Sequence, residues 1–365
     1  MKILRPTFLI NENTCRENIS KMARKAAKSN CIFRPHFKTH QSAQIGAWFR
    51  EFGVERITVS SVSMAQYFAL HHWNDILIAF PFNIHETETI NELANRITLS
   101  LTIESDFHIE YLANHIKSPV GIYIKIDAGY HRTGLSANDH STIDSILSVC
   151  KSNPVIRFKG FLSHFGNTYQ SRGADEVNST FSKSMAKLKS LQNKYIHQFP
   201  DLLISIGDTP SCSLVDDLSD ADEIRPGNFI FYDLMQLQIG SCSFSDISSI
   251  IVCPVVAKHP ERSELVIYGG AVHLSKDFIT DENGQKTYGR IVFLKKDGWS
   301  DSIEGSFLSN LSQEHGIVTC SEDLMNSTEI GDLLGILPVH SCLSANLFNS
   351  YLTIKGETVQ NIHSF

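Results

Sequence analysis

No two of the eight cysteines form a CxxC pair; they stand singly at positions 15, 31, 150, 212, 242, 253, 320 and 342. That density is too low for a disulfide scaffold, so reduced thiols in an intracellular compartment are expected. The chain also lacks a run of about eighteen apolar residues, which excludes a membrane-spanning helix. Its start, Met1-Lys2-Ile3-Leu4-Arg5-Pro6, has neither a long apolar stretch nor a small-residue cleavage site, and a cytoplasmic protein is expected. Basic residues are outnumbered, 32 Lys and Arg against 39 Asp and Glu, for a formal net charge of -7. No dense basic patch offsets that balance, so no nucleic-acid partner is expected. Lys21, Arg24, Lys25 and Lys28 fall at helical spacing and read as a solvated helix face. Internal repeats, low-complexity tracts and long linkers are absent too. What is there is an ordinary globular composition, 42% hydrophobic and 19% charged. A length of 365 residues fits one large domain plus a smaller one.

Between residues 10 and 232, short apolar strands alternate with amphipathic segments. The predicted strands are Cys31–Phe33, Ile57–Ser60, Ile76–Phe80, Leu99–Ile103, Gly121–Ile126, Phe158–Ser163, Leu202–Ile206 and Asp222–Ile224. Helical patterns such as Thr14–Ser29, Ser63–His71, Ile84–Ala94, Ser141–Cys150 and Asp175–Tyr195 separate them. Strands joined by helical crossovers pair in parallel. Eight of them predict an α/β chain built on a closed, TIM-like (β/α)8 barrel rather than an open doubly wound sheet. After Pro226-Gly227 the texture changes: Ile250–Ala257, Leu265–Tyr268, Ile291–Leu294 and Gly316–Thr319 are β-rich, with turn-rich pieces such as Asp281-Glu282-Asn283-Gly284 between them. A mainly antiparallel β-domain is expected from residues 233–365 together with 1–9, and the first strand, Ile3–Ile10, is expected to pair with it.

Six segments carry side chains suited to chemistry. Pro35-His36-Phe37-Lys38-Thr39-His40 puts a lysine at the end of the first barrel strand, at the rim where such barrels build active sites. Partial burial there lowers an amine's pKa and makes it a nucleophile toward a carbonyl. A lone lysine is more often a surface residue capping a loop, so the other segments matter. Lys125-Ile126-Asp127-Ala128-Gly129-Tyr130-His131-Arg132-Thr133-Gly134 follows another strand and offers Asp127, His131 and Arg132 at the barrel mouth; Arg132 can hold a phenolate or phosphate oxygen. His164-Phe165-Gly166-Asn167-Thr168-Tyr169 supplies an imidazole and a phenol suited to a flat aromatic ring. Gly207-Asp208-Thr209-Pro210-Ser211 and Arg225-Pro226-Gly227-Asn228 follow the last two barrel strands, the frequent phosphate site of this architecture. Neither is a nucleotide fingerprint. Pro338-Val339-His340-Ser341-Cys342 places imidazole and thiol on one side of an extended backbone, a half-site for Zn²⁺. His315 and His273-Leu274-Ser275-Lys276-Asp277 are candidates for the same cavity.

In this order, spread over both expected domains, the segments resemble the D-serine dehydratase / D-threonine aldolase family, whose barrel is similar to the alanine racemase N-terminal domain. The resemblance spans nearly the whole chain. It implies pyridoxal 5′-phosphate carried covalently by Lys38, with Arg132 touching the cofactor, His164 against its ring and Tyr169 near the pyridine nitrogen. It further implies that Thr209, Gly227 and Asn228 hold the phosphate, that His340 and Cys342 bind Zn²⁺ or another divalent metal beside the substrate's β-hydroxyl, and that the protein is a homodimer. A phenol at the pyridine nitrogen leaves the ring a weaker electron sink than a carboxylate would, a burden the metal can share. The implied activity is that of a metal-assisted lyase: dehydration of a β-hydroxy D-amino acid, D-serine or D-threonine, to a 2-keto acid and ammonia, with Lys38 removing the Cα proton. The same scaffold serves retro-aldol cleavage to glycine and an aldehyde, and amino-acid racemisation. A non-catalytic pyridoxal-phosphate-binding protein shares the barrel but lacks a β-domain, which the residues after Tyr232 supply here.

Overall fold

The computed structural model describes residues 2–281 and 284–364. Eight parallel strands form the first unit: Ile32–Phe33, Ile57–Val59, Asp75–Pro81, Thr98–Ile103, Val120–Asp127, Ile156–Ser163, Leu203–Ile206 and Glu223–Ile224. Each pairs with its sequence neighbour, and the last pairs with the first, Glu223 opposite Ile32. A bridge between His36 and Thr58, with Phe37 N–H donating to the Thr58 carbonyl at 2.9 Å, joins the first two strands and closes the barrel. The expected (β/α)8 architecture is present, with strand ends shifted by a residue or two. Side chains cap the first turns of several helices: Asn11 for Glu12–Lys28, Ser42 for Ala43–Arg50, Ser61 for Val62–Leu70 and Asp208 for Thr209–Leu214.

The barrel interior is polar along one column. Arg34 donates to Glu223 at 2.6 Å and to Asp75 at 2.7 Å; Glu223 also accepts from Ser205, whose hydroxyl accepts from Arg225 at 2.7 Å. Every charge in the column has a partner, as burial requires.

The second unit is a closed antiparallel barrel of six strands, Ser249–His259, Glu264–Tyr268, His315–Thr319, Phe307–Leu311, Gly289–Val292 and Leu333–Pro338. Thr7–Ile10 extends its sheet, antiparallel to Ser249–Val252 and parallel to the strand Ser350–Thr353. The N-terminal strand therefore belongs to the C-terminal domain, as its apolar run predicts. One continuous cluster of buried apolar side chains, from Ile3 to Val359, runs through both units. Of the turn Asp281-Glu282-Asn283-Gly284, Glu282 and Asn283 lie outside the described residues; the short strands Ile279–Thr280 and Lys286–Thr287 pair on either side of it. No helix among the described residues is long and apolar enough to cross a membrane.

Candidate active site

The carboxyl ends of the barrel strands and the helix Ser341–Ala345 of the β-domain enclose a cavity of about 600 Å³. The nine residues that the resemblance assigns to cofactor and metal all line it: Lys38, Arg132, His164, Tyr169, Thr209, Gly227, Asn228, His340 and Cys342. Lys38 sits in the turn between its strand and the helix Ala43–Arg50, walled in by protein but open to the cavity. The loop after the last barrel strand packs directly on this turn. A Cβ at Gly227 would lie 2.8 Å from the His36 carbonyl oxygen and 3.2 Å from Thr39 Oγ1, so only glycine permits the approach. Gly129 and Gly134, with φ of +123° and +112°, bend the loop that delivers Arg132.

Cations dominate the cavity of an otherwise acidic chain. Lys38, Lys125, Arg132 and Arg225 all face it. Burial lowers the pKa of Lys38, and the nearby Arg132 and Arg225 add to the shift, while Cys342 opposes it. Lys125 is pushed down to about 7 by burial and then by Arg225 and Arg132. Burial, with Arg34 also repelling, brings the Arg225 guanidinium to about 10 despite Glu223. His164 and His36 are held neutral, well below the usual imidazole range, by burial and the same neighbouring cations. The His164 ring is fixed by Nδ1 against the Gly207 carbonyl. An anion bearing several charges would relieve this crowding.

The acidic side is thin. Asp208 caps the helix Thr209–Leu214, and burial raises its carboxyl to about 6. The Thr209 hydroxyl and the Asn228 Oδ1 are buried without a hydrogen-bond partner. An orphaned hydroxyl beside Gly207 and Gly227 suits a phosphate that is otherwise missing its partners. The Asn228 amide nitrogen is already spent on Asp233 at 2.6 Å and on Ser341 at 3.2 Å.

At the β-domain wall, His340 Nδ1 lies 3.0 Å from Asp277 Oδ2, leaving Nε2 for Cys342. Burial alone would lower the His340 pKa, but the hydrogen bonds to Asp277 and Cys342 hold it well above the usual value. Burial would raise the Cys342 thiol; His340 and Lys38 reverse that and lower it, favouring thiolate. The pair does not converge by strand alternation, as the sequence predicts. The strand ends at Pro338, His340 is an extended helix cap, and Cys342 lies in the first turn of Ser341–Ala345.

Other candidates fall away. Asp127 accepts from the backbone of Gly129, Tyr130 and His131 and closes the loop, and His131 points to solvent. His273 packs against Tyr268 and Phe348, and His315 is exposed on its strand; neither lines the cavity. Asp277 reaches the site only through His340. Sequence reasoning missed Lys125, Arg225, His36 and Gln41 as lining residues. Lys125 and Arg225 were within the quoted segments, adjacent to strand ends, and a polar residue at the mouth of a strand is the signal that marks them.

A (β/α)8 barrel with a lysine at the first strand's rim, a cationic floor and a second β-domain over the mouth defines an enzyme of the alanine racemase fold. The profile of the alanine racemase N-terminal domain matches residues 10–234, and that of a serine dehydratase domain matches residues 248–354. The D-serine dehydratase of Dictyostelium discoideum is 30% identical over 391 residues, covering 99% of this chain and 95% of its own. The D-threo-3-hydroxyaspartate dehydratase from Delftia sp. HT23 superposes with a TM-score of 0.92 at 24% identity, covering 100% of this chain and 99% of that one. The D-threonine aldolase from Filomicrobium marinum gives 0.83 at 18% identity, covering 100% and 98%. The chain belongs to the D-serine dehydratase / D-threonine aldolase family, and it is a pyridoxal-phosphate-dependent lyase.

Proposed function

We propose that the protein dehydrates D-serine to pyruvate and ammonia, with Lys38 as its catalytic lysine. The observation that carries this reading is that Lys38 and the His340–Cys342 pair line one cavity, in a chain 30% identical to a D-serine dehydratase over its length. Bound pyridoxal phosphate supplies an aldehyde for the substrate's amine and a π-system that accepts electrons from Cα. Thr209, Gly227 and Asn228 would hold its phosphate, Arg132 would touch its phenolate, His164 would lie against the ring and Tyr169 near the pyridine nitrogen, all of them lining the cavity. Tyr169 stays a neutral phenol, because burial raises its pKa. Lys38, its pKa lowered chiefly by burial, takes the proton from Cα. Hydroxide leaves Cβ, and the released enamine takes up one water to give the keto acid and ammonia, so the overall reaction consumes no net water.

His340 and Cys342 are the donors for a divalent ion, with Zn²⁺ matching the nitrogen–sulfur pair. It would supply Lewis acidity beside the substrate's β-oxygen. No group of three His, Cys, Asp or Glu side chains placed to hold a metal ion forms among the described residues, so the pair is a half-site. A structure of the Delftia relative is described as a metal-free form, which supports a metal in this family. A cytoplasmic homodimer is part of the same proposal.

The test is product analysis. Holoenzyme incubated with D-serine should release equimolar pyruvate and ammonia, and Lys38→Ala should lose both turnover and the covalent cofactor's visible absorbance. Glycine and an aldehyde from D-threonine, without ammonia, would replace this reading by aldol cleavage.

A further inference from the structure

Part of the cavity wall lies outside the chemistry assigned above. Asn346 follows Cys342 by four residues, its N–H on the Cys342 carbonyl at 3.3 Å, so both side chains share one face of the turn. Gln41 Nε2 donates to Asn346 Oδ1 at 2.8 Å, and His363 Nε2 stands 3.2 Å from the same oxygen. With Oδ1 taken twice, the Asn346 amide nitrogen is turned the other way. That nitrogen and Gln41 Oε1 have no hydrogen-bond partner among the described residues, and both residues line the cavity.

The arrangement is held deliberately. Gln41 is buried with φ at +47°, a left-handed backbone uncommon for a residue with a side chain. Its N–H binds the Phe37 carbonyl at 3.0 Å, and its carbonyl accepts from Ile362 N–H at 2.8 Å. Ile362 opens the C-terminal 3₁₀ turn Ile362–Ser364, which also carries His363. Such outliers persist where the surroundings over-determine them, and they gather at binding sites.

We propose that the Gln41–Asn346 amide pair, locked by the C-terminal turn through His363, reads the substituents on the substrate's Cβ and selects small uncharged β-hydroxy D-amino acids over those with a second carboxylate. This deepens the dehydratase reading and rests on it. A hydroxyl accepts from Asn346 Nδ2 and donates to Gln41 Oε1. A carboxylate only accepts, and it faces the Gln41 oxygen unpaired. Leu343, on the same short helix, adds an apolar surface to this wall. The four cations of the cavity, Lys38, Lys125, Arg132 and Arg225, are carried by the barrel and not by this wall. Specificity of this kind comes as much from the group rejected as from the one accepted.

The experiment compares kcat/KM of the holoenzyme for D-serine and D-threo-3-hydroxyaspartate, alongside binding of the unreactive D-alanine and D-aspartate read from cofactor absorbance. Wild type should favour D-serine by at least about tenfold and bind D-alanine at least about tenfold more tightly than D-aspartate. Gln41→Lys should shift both ratios toward the dicarboxylate by about tenfold. His363→Ala, a milder change on the exposed turn, should narrow them by about threefold through KM rather than kcat. Equal or better use of the dicarboxylate by wild type overturns the proposal, as do unmoved ratios in both folded, cofactor-loaded variants. If no D-amino acid is turned over, the dehydratase reading fails, while the D-alanine and D-aspartate ratio still decides the role of the amide pair.

Discussion

Thr39 Oγ1 lies 3.1 Å from Cys342 Sγ, although 303 residues separate them. The hydroxyl next to Lys38 is thus tied to the thiol of the β-domain, and barrel and β-domain meet at the reacting atoms. Thr39→Val keeps the shape and removes the bond, which at about 1 kcal/mol should lower kcat/KM roughly fivefold without unfolding the chain. Steady-state rates with circular dichroism as the control measure this; an unchanged kcat/KM would separate Thr39 from the site.

Asp277 orients His340 from behind. Asp277→Ala should weaken divalent-metal affinity by about 10–100-fold, the usual effect of removing a carboxylate behind a metal-binding imidazole. Equilibrium dialysis followed by metal analysis reads this directly. EDTA should silence wild type, and restored Zn²⁺ should revive it; activity indifferent to both would remove the metal from the proposal.

Gly227→Ala pushes a methyl to 2.8 Å from the His36 carbonyl, a backbone atom that cannot swing away. The loops carrying Lys38 and the phosphate cradle must separate, costing about 1–3 kcal/mol. A lower melting temperature and faster cofactor loss on dialysis are expected. Wild-type retention of cofactor would show that the two loops need not touch.

Lys125 makes the cofactor-free chain pH-sensitive. Its folded pKa of about 7 lies below the ordinary 10.5. Above pH 7 the folded state has released a proton that the unfolded chain keeps up to 10.5, so stability rises with pH across that window. Below pH 7 both states are charged and the full penalty, about 5 kcal/mol for the whole span, is felt. Lys125→Met should therefore raise the melting temperature of the cofactor-free protein more at pH 6 than at pH 9. A gap that widens with pH contradicts the buried cation.

Much of this architecture was legible in the residues. Strands such as Leu99–Ile103 declare themselves because both faces are buried and the whole run is apolar. Thr7–Ile10 could be assigned to the far domain because its apolar run precedes the first barrel helix. The rim lysine, the glycine loops and the His340–Cys342 pair were readable because each follows a strand end. What stayed hidden depends on tertiary placement. Lys125 is one letter in an apolar strand, and only the fold shows Arg225 and Arg132 crowding it. Asn346 and Gln41 lie 305 residues apart and meet through side-chain amides, a contact with no periodicity to betray it. Cys342 was placed on an extended backbone, since nothing in Val339-His340-Ser341 signals that a helical turn begins there. Asp127 and His131 read equally well as a structural ion pair within their loop, and that pair is what forms, because a loop-closing carboxylate and a catalytic one look alike in a string of letters.

The first strand has a further consequence. Thr7–Ile10 precedes the first barrel helix, yet its hydrogen-bonding neighbours are Ser249–Val252 and Ser350–Thr353. Its edges stay unpaired until both distant segments fold against it. The wall that the β-domain adds to the chamber therefore rests on pairings of high sequence separation, the kind that forms slowly.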